Sequence, residues 1–152
     1  MHCYYGLRLA GLRLCDSRSA DLEKQRSDRP IRVLTIDDDP DMRIGIKLAL
    51  EVEGYSVVTA SRGAEGIETA GSFLPHIIVL DVEMPGMGGP ETLRRLRSEP
   101  ALEDIPVIFL TGKVDLDAME ETFEEISQGY LLKPFSVIQL LNKIEEVLGT
   151  GE

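Results

Sequence analysis

The sequence predicts an α/β protein built on a five-stranded, wholly parallel sheet with helices on both faces. Three observations carry this. Short β-rich runs alternate with stretches of helical period along residues 31–148. The central runs are continuously apolar, as in IIVL (77–80), which marks strands covered on both faces. Each run also stops at polar or turn residues, and a helix-start signal follows several of them. Strand–helix alternation of this kind implies βαβ units with right-handed crossovers.

The first strand is IRVLTI (31–36), and it ends in Asp37, Asp38, Asp39 and Pro40. Asp39 can cap free amide groups and Pro40 suits a first helical turn, so a helix is expected over 40–53. Its four-residue spacing of Ile44, Leu48 and Val52 predicts the buried stripe, and Gly54 ends it. SVVTA (56–60) is the second strand. Ser61 is expected to cap a second helix towards Phe73, although Gly63 and Gly66 lower its intrinsic propensity.

The third strand lies in HIIVLDVEMP (76–85), which delivers Asp81 to its carboxyl end before Pro85 and the run Gly86, Met87, Gly88, Gly89 turn the chain. A third helix is expected over 90–98, closed off by Pro100. IPVIFLT (105–111) is the fourth strand and ends at Thr111 and Gly112. Leu116, Met119, Phe123 and Ile126 then line one face of a fourth helix, whose other face carries Asp117, Glu120, Glu121, Glu124 and Glu125. That acidic face reads as solvated surface. GYLLK (129–133) is the last strand, with Lys133 before Pro134. Ser136 with Gln139 forms a capping box for a fifth helix through 148, burying Val137, Leu140, Leu141, Ile144 and Leu148.

The 152 residues are one domain's worth, and their net charge of −11 argues against direct contact with a nucleic-acid backbone. The first thirty residues differ in kind, with six basic against four acidic side chains, whereas residues 31–152 carry ten against twenty-three. Residues 1–30 read as a disordered extension or an upstream start, 31–149 as the folded domain and 150–152 as a short tail. Arg8 and Arg13 interrupt the only apolar stretch of the extension, so no signal peptide or membrane span is expected. Both cysteines, Cys3 and Cys15, lie in that extension, which leaves the domain without a disulfide and fits a reducing, cytoplasmic setting.

In a parallel sheet the strand ends share one rim, so Asp37, Asp38, Asp81, Thr111 and Lys133 should converge there. Three carboxylates in one place repel and would raise one another's pKa. A hard divalent ion removes that conflict; Mg²⁺ is expected, with Mn²⁺ as the alternative, because the donors are all oxygen and no histidine or cysteine takes part. With the ion bound, Asp81 can stay ionised and attack phosphorus, while Lys133 and the Thr111 hydroxyl stabilise the phosphoryl oxygens.

VLTIDDDP (33–40), IIVLDVEMPGMGG (77–89), VIFLTG (107–112) and YLLKPF (130–135) together resemble the receiver domain of two-component response regulators, from residue 31 to residue 148. The resemblance implies a flavodoxin-like doubly wound sheet of order 2-1-3-4-5 with five helices. It implies that Asp81 accepts a phosphoryl group from a phosphohistidine on a sensor histidine kinase or histidine phosphotransfer protein. It further implies that Asp38, Asp81 and the backbone carbonyl of Glu83 ligate Mg²⁺, with Asp37 acting largely through a bound water, and that the Lys133–Pro134 peptide is cis. Thr111 and Tyr130 would form a switch, read out on the fourth helix, fifth strand and fifth helix by an unidentified protein target. Glu83 and Lys113 would flank the site and tune phosphoryl lifetime, as an ion pair restricting the attacking water. Two departures stand out: Gly88 replaces a common Asp, so the helix after the loop should be less firmly capped, and Ile126–Ser127 replace the usual Gly-Ala.

With no effector domain following the fifth helix, a stand-alone response regulator is expected, a signalling switch that catalyses only its own phosphorylation and dephosphorylation. Two other readings compete. A haloacid-dehalogenase-type phosphatase also uses an aspartyl nucleophile, Mg²⁺, Thr or Ser and Lys, but its nucleophile comes on the first motif strand with a second Asp two residues on. Here the acidic pair comes first and Glu83 occupies that position. The second is a receiver-like scaffold that binds partners without phosphorylation; the intact set of five site residues argues against it.

Overall fold

The computed structural model describes residues 29–112 and 129–149. Five parallel strands form one sheet in the order β2-β1-β3-β4-β5. They are β1 (Arg32–Ile36), β2 (Ser56–Ala60), β3 (Ile77–Asp81), β4 (Val107–Thr111) and β5 (Gly129–Leu132). Four helices lie among the described residues: α1 (Pro40–Val52), α2 (Gly63–Phe73), α3 (Gly89–Ser98) and α4 (Val137–Leu148). The expected fourth helix, Lys113 and Ile126–Ser127 lie outside the described residues.

β3 and β4 are buried along their whole length, which is why their sequences show no polar alternation. Side chains alternate across the sheet and build two cores. Leu34, Ile36, Ile78, Leu80 and Phe109 meet Ala70, Leu93 and Leu96 of α2 and α3 on one face. Val33, Val57, Val79, Ile108 and Leu110 meet Ile46, Leu50, Leu140 and Ile144 of α1 and α4 on the other.

α1 is capped as expected, with the Asp41 N–H donating to the Asp39 side chain at 2.9 Å and Pro40 in the first turn. Its buried face is not the expected one. Ile46 and Leu50 enter the core, while Ile44, Leu48 and Val52 are 57, 60 and 83% exposed. The helix carries two apolar stripes of the same four-residue spacing, Ile44-Leu48-Val52 and Met42-Ile46-Leu50. Two residues of offset place them about 200° apart. Periodicity alone cannot rank them; the direction in which the chain leaves β1 does.

Two further expectations change. Ser61 does not cap α2: the cap position is Arg62, without a side-chain hydrogen bond. The Ser61 hydroxyl instead donates to Glu65 Oε2 at 2.9 Å. Val137 lies in the first turn of α4 and is 48% exposed rather than buried, although the Ser136–Gln139 capping box is complete. Gly66 earns its place by packing, since a Cβ there would run into the Ile36 side chain.

Candidate functional site

Asp37 follows β1, Asp81 ends β3, Thr111 ends β4 and Lys133 follows β5, so four strands deliver their terminal residues to one rim. Asp37, Asp81 and Thr111 are almost fully buried there, whereas Asp38 is exposed. One carboxylate oxygen from each of Asp37, Asp38 and Asp81 lies within 4.8 Å of the others. Lys133 Nζ donates to Asp81 Oδ1 at 2.9 Å and stands 3.6 Å from Asp37 Oδ2. Its own backbone N–H donates to the Thr111 carbonyl at 2.8 Å, and its peptide bond to Pro134 is cis.

Asp37 is anchored on three sides. Its N–H donates to the Ala60 carbonyl at 3.1 Å, its Oδ1 accepts the Asp39 N–H at 2.9 Å, and its carbonyl accepts a bond from Arg43 Nη1 at 2.7 Å. The remaining oxygen, Oδ2, is buried without a hydrogen-bond partner among the described residues, because the Lys133 contact exceeds hydrogen-bond length. Sequence reasoning overlooked Arg43. The available signal was positional: it lies one helical turn beyond the Asp39 cap, where a long side chain can fold back over the end of β1.

Burial pushes the Asp81 carboxyl up to about 6, and the neighbouring Asp37 charge adds to this against the opposing pull of Lys133. Burial likewise raises Asp37, aided by Asp38 and Asp39 and opposed by the Asp39 N–H and Lys133. Lys133 balances the other way. Burial disfavours its charge, but the Asp81 and Asp37 carboxylates together carry its pKa above the ordinary lysine value.

Among the described residues the site therefore holds more negative charge than its one ammonium neutralises, and one buried carboxylate oxygen has no donor. An all-oxygen donor set with these properties fits a hard divalent cation such as Mg²⁺.

Thr111 donates its hydroxyl to the Gly112 carbonyl at 3.1 Å. Glu83 is exposed on the loop after Asp81, and its Oε1 reaches within 4.0 Å of where a Cβ on Gly112 would sit. Tyr130 is half-buried on the edge strand β5, opposite Phe109, and packs against the first core. An open cleft lined by Asp38, Arg62, Gly63, Pro85 and Met87 adjoins the acidic group.

The loop from Asp81 to α3 is held by backbone contacts. Gly88 occupies the α3 cap position without a side-chain hydrogen bond. The buried Thr92 hydroxyl donates to the Gly88 carbonyl at 2.8 Å instead, and Gly89 N–H donates to the Val82 carbonyl at 3.0 Å. A Cβ on Gly89 would lie 2.6 Å from the Asp81 carbonyl oxygen, so only glycine lets α3 start this close to the end of β3.

Residues 33–145 match the family model of the response regulator receiver domain. Response regulator MprA of Mycolicibacterium vanbaalenii is 34% identical over 119 residues, 78% of this chain and 51% of that protein. Sensor histidine kinase TmoS of Ectopseudomonas mendocina is 34% identical over 129 residues, 85% of this chain and 13% of the kinase. The structure of chemotaxis protein CheY4 of Vibrio cholerae superimposes with a TM-score of 0.73 at 29% identity, covering 78% of this chain and 99% of that one. The chain spans about half the length of the response-regulator relatives it matches. No described helix is long and apolar enough to cross a membrane. Parallel strand order, a rim of three carboxylates with a lysine seated on one of them, and the family match over residues 33–145 together establish that this chain belongs to the response regulator receiver domains, the phosphorelay modules of two-component signalling.

Proposed function

We propose that Asp81 accepts a phosphoryl group from the phosphohistidine of a sensor histidine kinase or histidine phosphotransfer protein, and that the resulting aspartyl phosphate controls binding of a protein target. The observation that carries this reading is the placement of Lys133 Nζ on Asp81 Oδ1 beside the unpartnered Oδ2 of Asp37. Lys133 holds one oxygen of the Asp81 carboxylate, leaving the other as nucleophile. Attack forms an O–P bond and breaks the P–N bond of the donor, whose imidazole leaves as a neutral ring once it holds a proton. Lys133 then lies beside the new phosphoryl oxygens. The cleft next to Asp38 gives a donor an open approach. A match to part of a sensor histidine kinase supports a kinase of that class as the donor.

Asp37, Asp38, Asp81 and the backbone carbonyl of Glu83 would hold Mg²⁺, or Mn²⁺ in its place. The ion would neutralise the clustered carboxylates and the charge on the transferred group. The Thr111 hydroxyl would turn from the Gly112 carbonyl to a phosphoryl oxygen, and Tyr130 would move further into the core. The predicted helix over 116–126, β5 and α4 would carry that change to the target. Glu83, with its carboxylate towards Gly112, is suited to pair with Lys113 and restrict the water that hydrolyses the aspartyl phosphate. The chain then acts as a signalling switch, with no product other than its own modified state.

The test is incubation with acetyl phosphate and Mg²⁺ followed by intact-mass measurement of wild type and Asp81→Asn. Wild type should gain one phosphoryl group, only with the metal, and Asp81→Asn none. A wild-type protein that stays unmodified would instead favour a phosphorylation-independent binding scaffold.

A further inference from the structure

We propose that Arg43 is a positioning residue for the acidic pair: by clamping the Asp37 carbonyl it sets the direction in which Asp38 leaves the backbone, and with it the affinity of the site for a divalent cation. The proposal rests on the reading above, in which Asp37, Asp38 and Asp81 hold Mg²⁺.

Asp37 and Asp38 are neighbours with opposite constraints. Asp37 is buried and fixed at its N–H, its carbonyl and Oδ1. Asp38 is exposed, and among the described residues its carboxylate has no hydrogen-bond or ion-pair partner. Only its backbone can locate it. The peptide linking the two is planar, so the Asp37 carbonyl and the Asp38 N–Cα bond turn together. Arg43 Nη1 holds that carbonyl at 2.7 Å. Its backbone N–H donates to the Asp39 carbonyl at 3.1 Å, so the first turn of α1 grips the acidic segment at two points. A charged donor on a neutral acceptor makes one of the stronger hydrogen bonds available here.

Charge and position predict opposite results, which makes the idea decidable. A guanidinium near a cation site repels the cation, so on charge alone the loss of Arg43 would tighten Mg²⁺ binding. If Arg43 acts by orienting the pair, its loss weakens binding instead.

The experiment titrates Mg²⁺ into the full chain, ¹⁵N-labelled, as wild type, Arg43→Met and Arg43→Lys, and follows amide chemical shifts, which report affinity and fold together. Arg43→Met keeps the aliphatic stem and loses the donor. It should retain the native spectrum and bind Mg²⁺ about tenfold more weakly, the usual scale for groups that orient metal ligands. Arg43→Lys keeps a charged donor and should fall between Arg43→Met and wild type. Equal or tighter binding by Arg43→Met, or Arg43→Lys as weak as Arg43→Met, overturns the proposal. Loss of the native spectrum in Arg43→Met overturns it too, because Arg43 would then hold the fold rather than the site. If wild type itself shows no Mg²⁺-dependent shifts around Asp37 and Asp81, the metal reading of the site fails first.

Discussion

Replacing Asp81 by Asn should stabilise the metal-free protein in a pH-dependent manner. In the fold the Asp81 carboxyl titrates at about 6, against an ordinary value of 3.8 taken for the unfolded chain. The folded state therefore binds the proton more tightly. This contribution to stability is fully present below pH 3.8 and is lost as pH rises through 6. At 1.36 kcal/mol per pK unit, ionised Asp81 costs the fold about 3 kcal/mol at pH 8 and about half as much at pH 5. Asn keeps an oxygen for Lys133 and removes the titration. Any pH-independent effect of the amide cancels when the two pH values are compared. The stability gain of Asp81→Asn over wild type should thus be about 1–2 kcal/mol larger at pH 8 than at pH 5. Urea unfolding with EDTA measures this as a difference of roughly 1 M between the two midpoint shifts. Magnesium should recover the lost stability of wild type at pH 8, because an ion that binds only the folded state favours it. A gain that is the same at both pH values, or larger at pH 5, would refute the view that Asp81 is held ionised at a cost.

Five other substitutions test neighbouring parts of the structure. Lys133→Met leaves Asp37 and Asp81 without their cation and should cost about 3 kcal/mol in urea unfolding at pH 8, with a smaller loss at pH 5 where Asp81 takes up a proton. Gly89→Ala drives a methyl against the Asp81 carbonyl and Val82 Cα, 2.6 and 2.8 Å away, and should cost about 1–3 kcal/mol while slowing uptake of phosphoryl from acetyl phosphate. Thr35→Val removes a buried hydroxyl that has no hydrogen-bond partner among the described residues and should raise stability by about 1 kcal/mol, read as a higher urea midpoint. On α1, Leu50→Ala should cost about 2–5 kcal/mol and Leu48→Ala under about 0.5 kcal/mol, and similar losses would contradict the assignment of the buried face.

The sequence by itself determined the order of the described elements and the chemical inventory. Continuous apolar runs reveal buried parallel strands because both faces of such a strand are covered, as β3 and β4 are. Caps are local, so Asp39–Pro40 and Ser136–Gln139 could be read directly. The convergence of Asp37, Asp38, Asp81 and Lys133 followed from parallel topology, since every strand of such a sheet ends on the same side. Tertiary structure alone decided what depends on direction and distance. α1 carries two apolar stripes of identical spacing, and the path of the chain out of β1 selects Ile46 and Leu50 for the core. Ser61 lost its expected cap role to a contact with Glu65, which no local propensity ranks. The orphaned Asp37 Oδ2 and the raised Asp81 carboxyl arise from burial and packing across separate segments, and a linear pattern contains neither quantity.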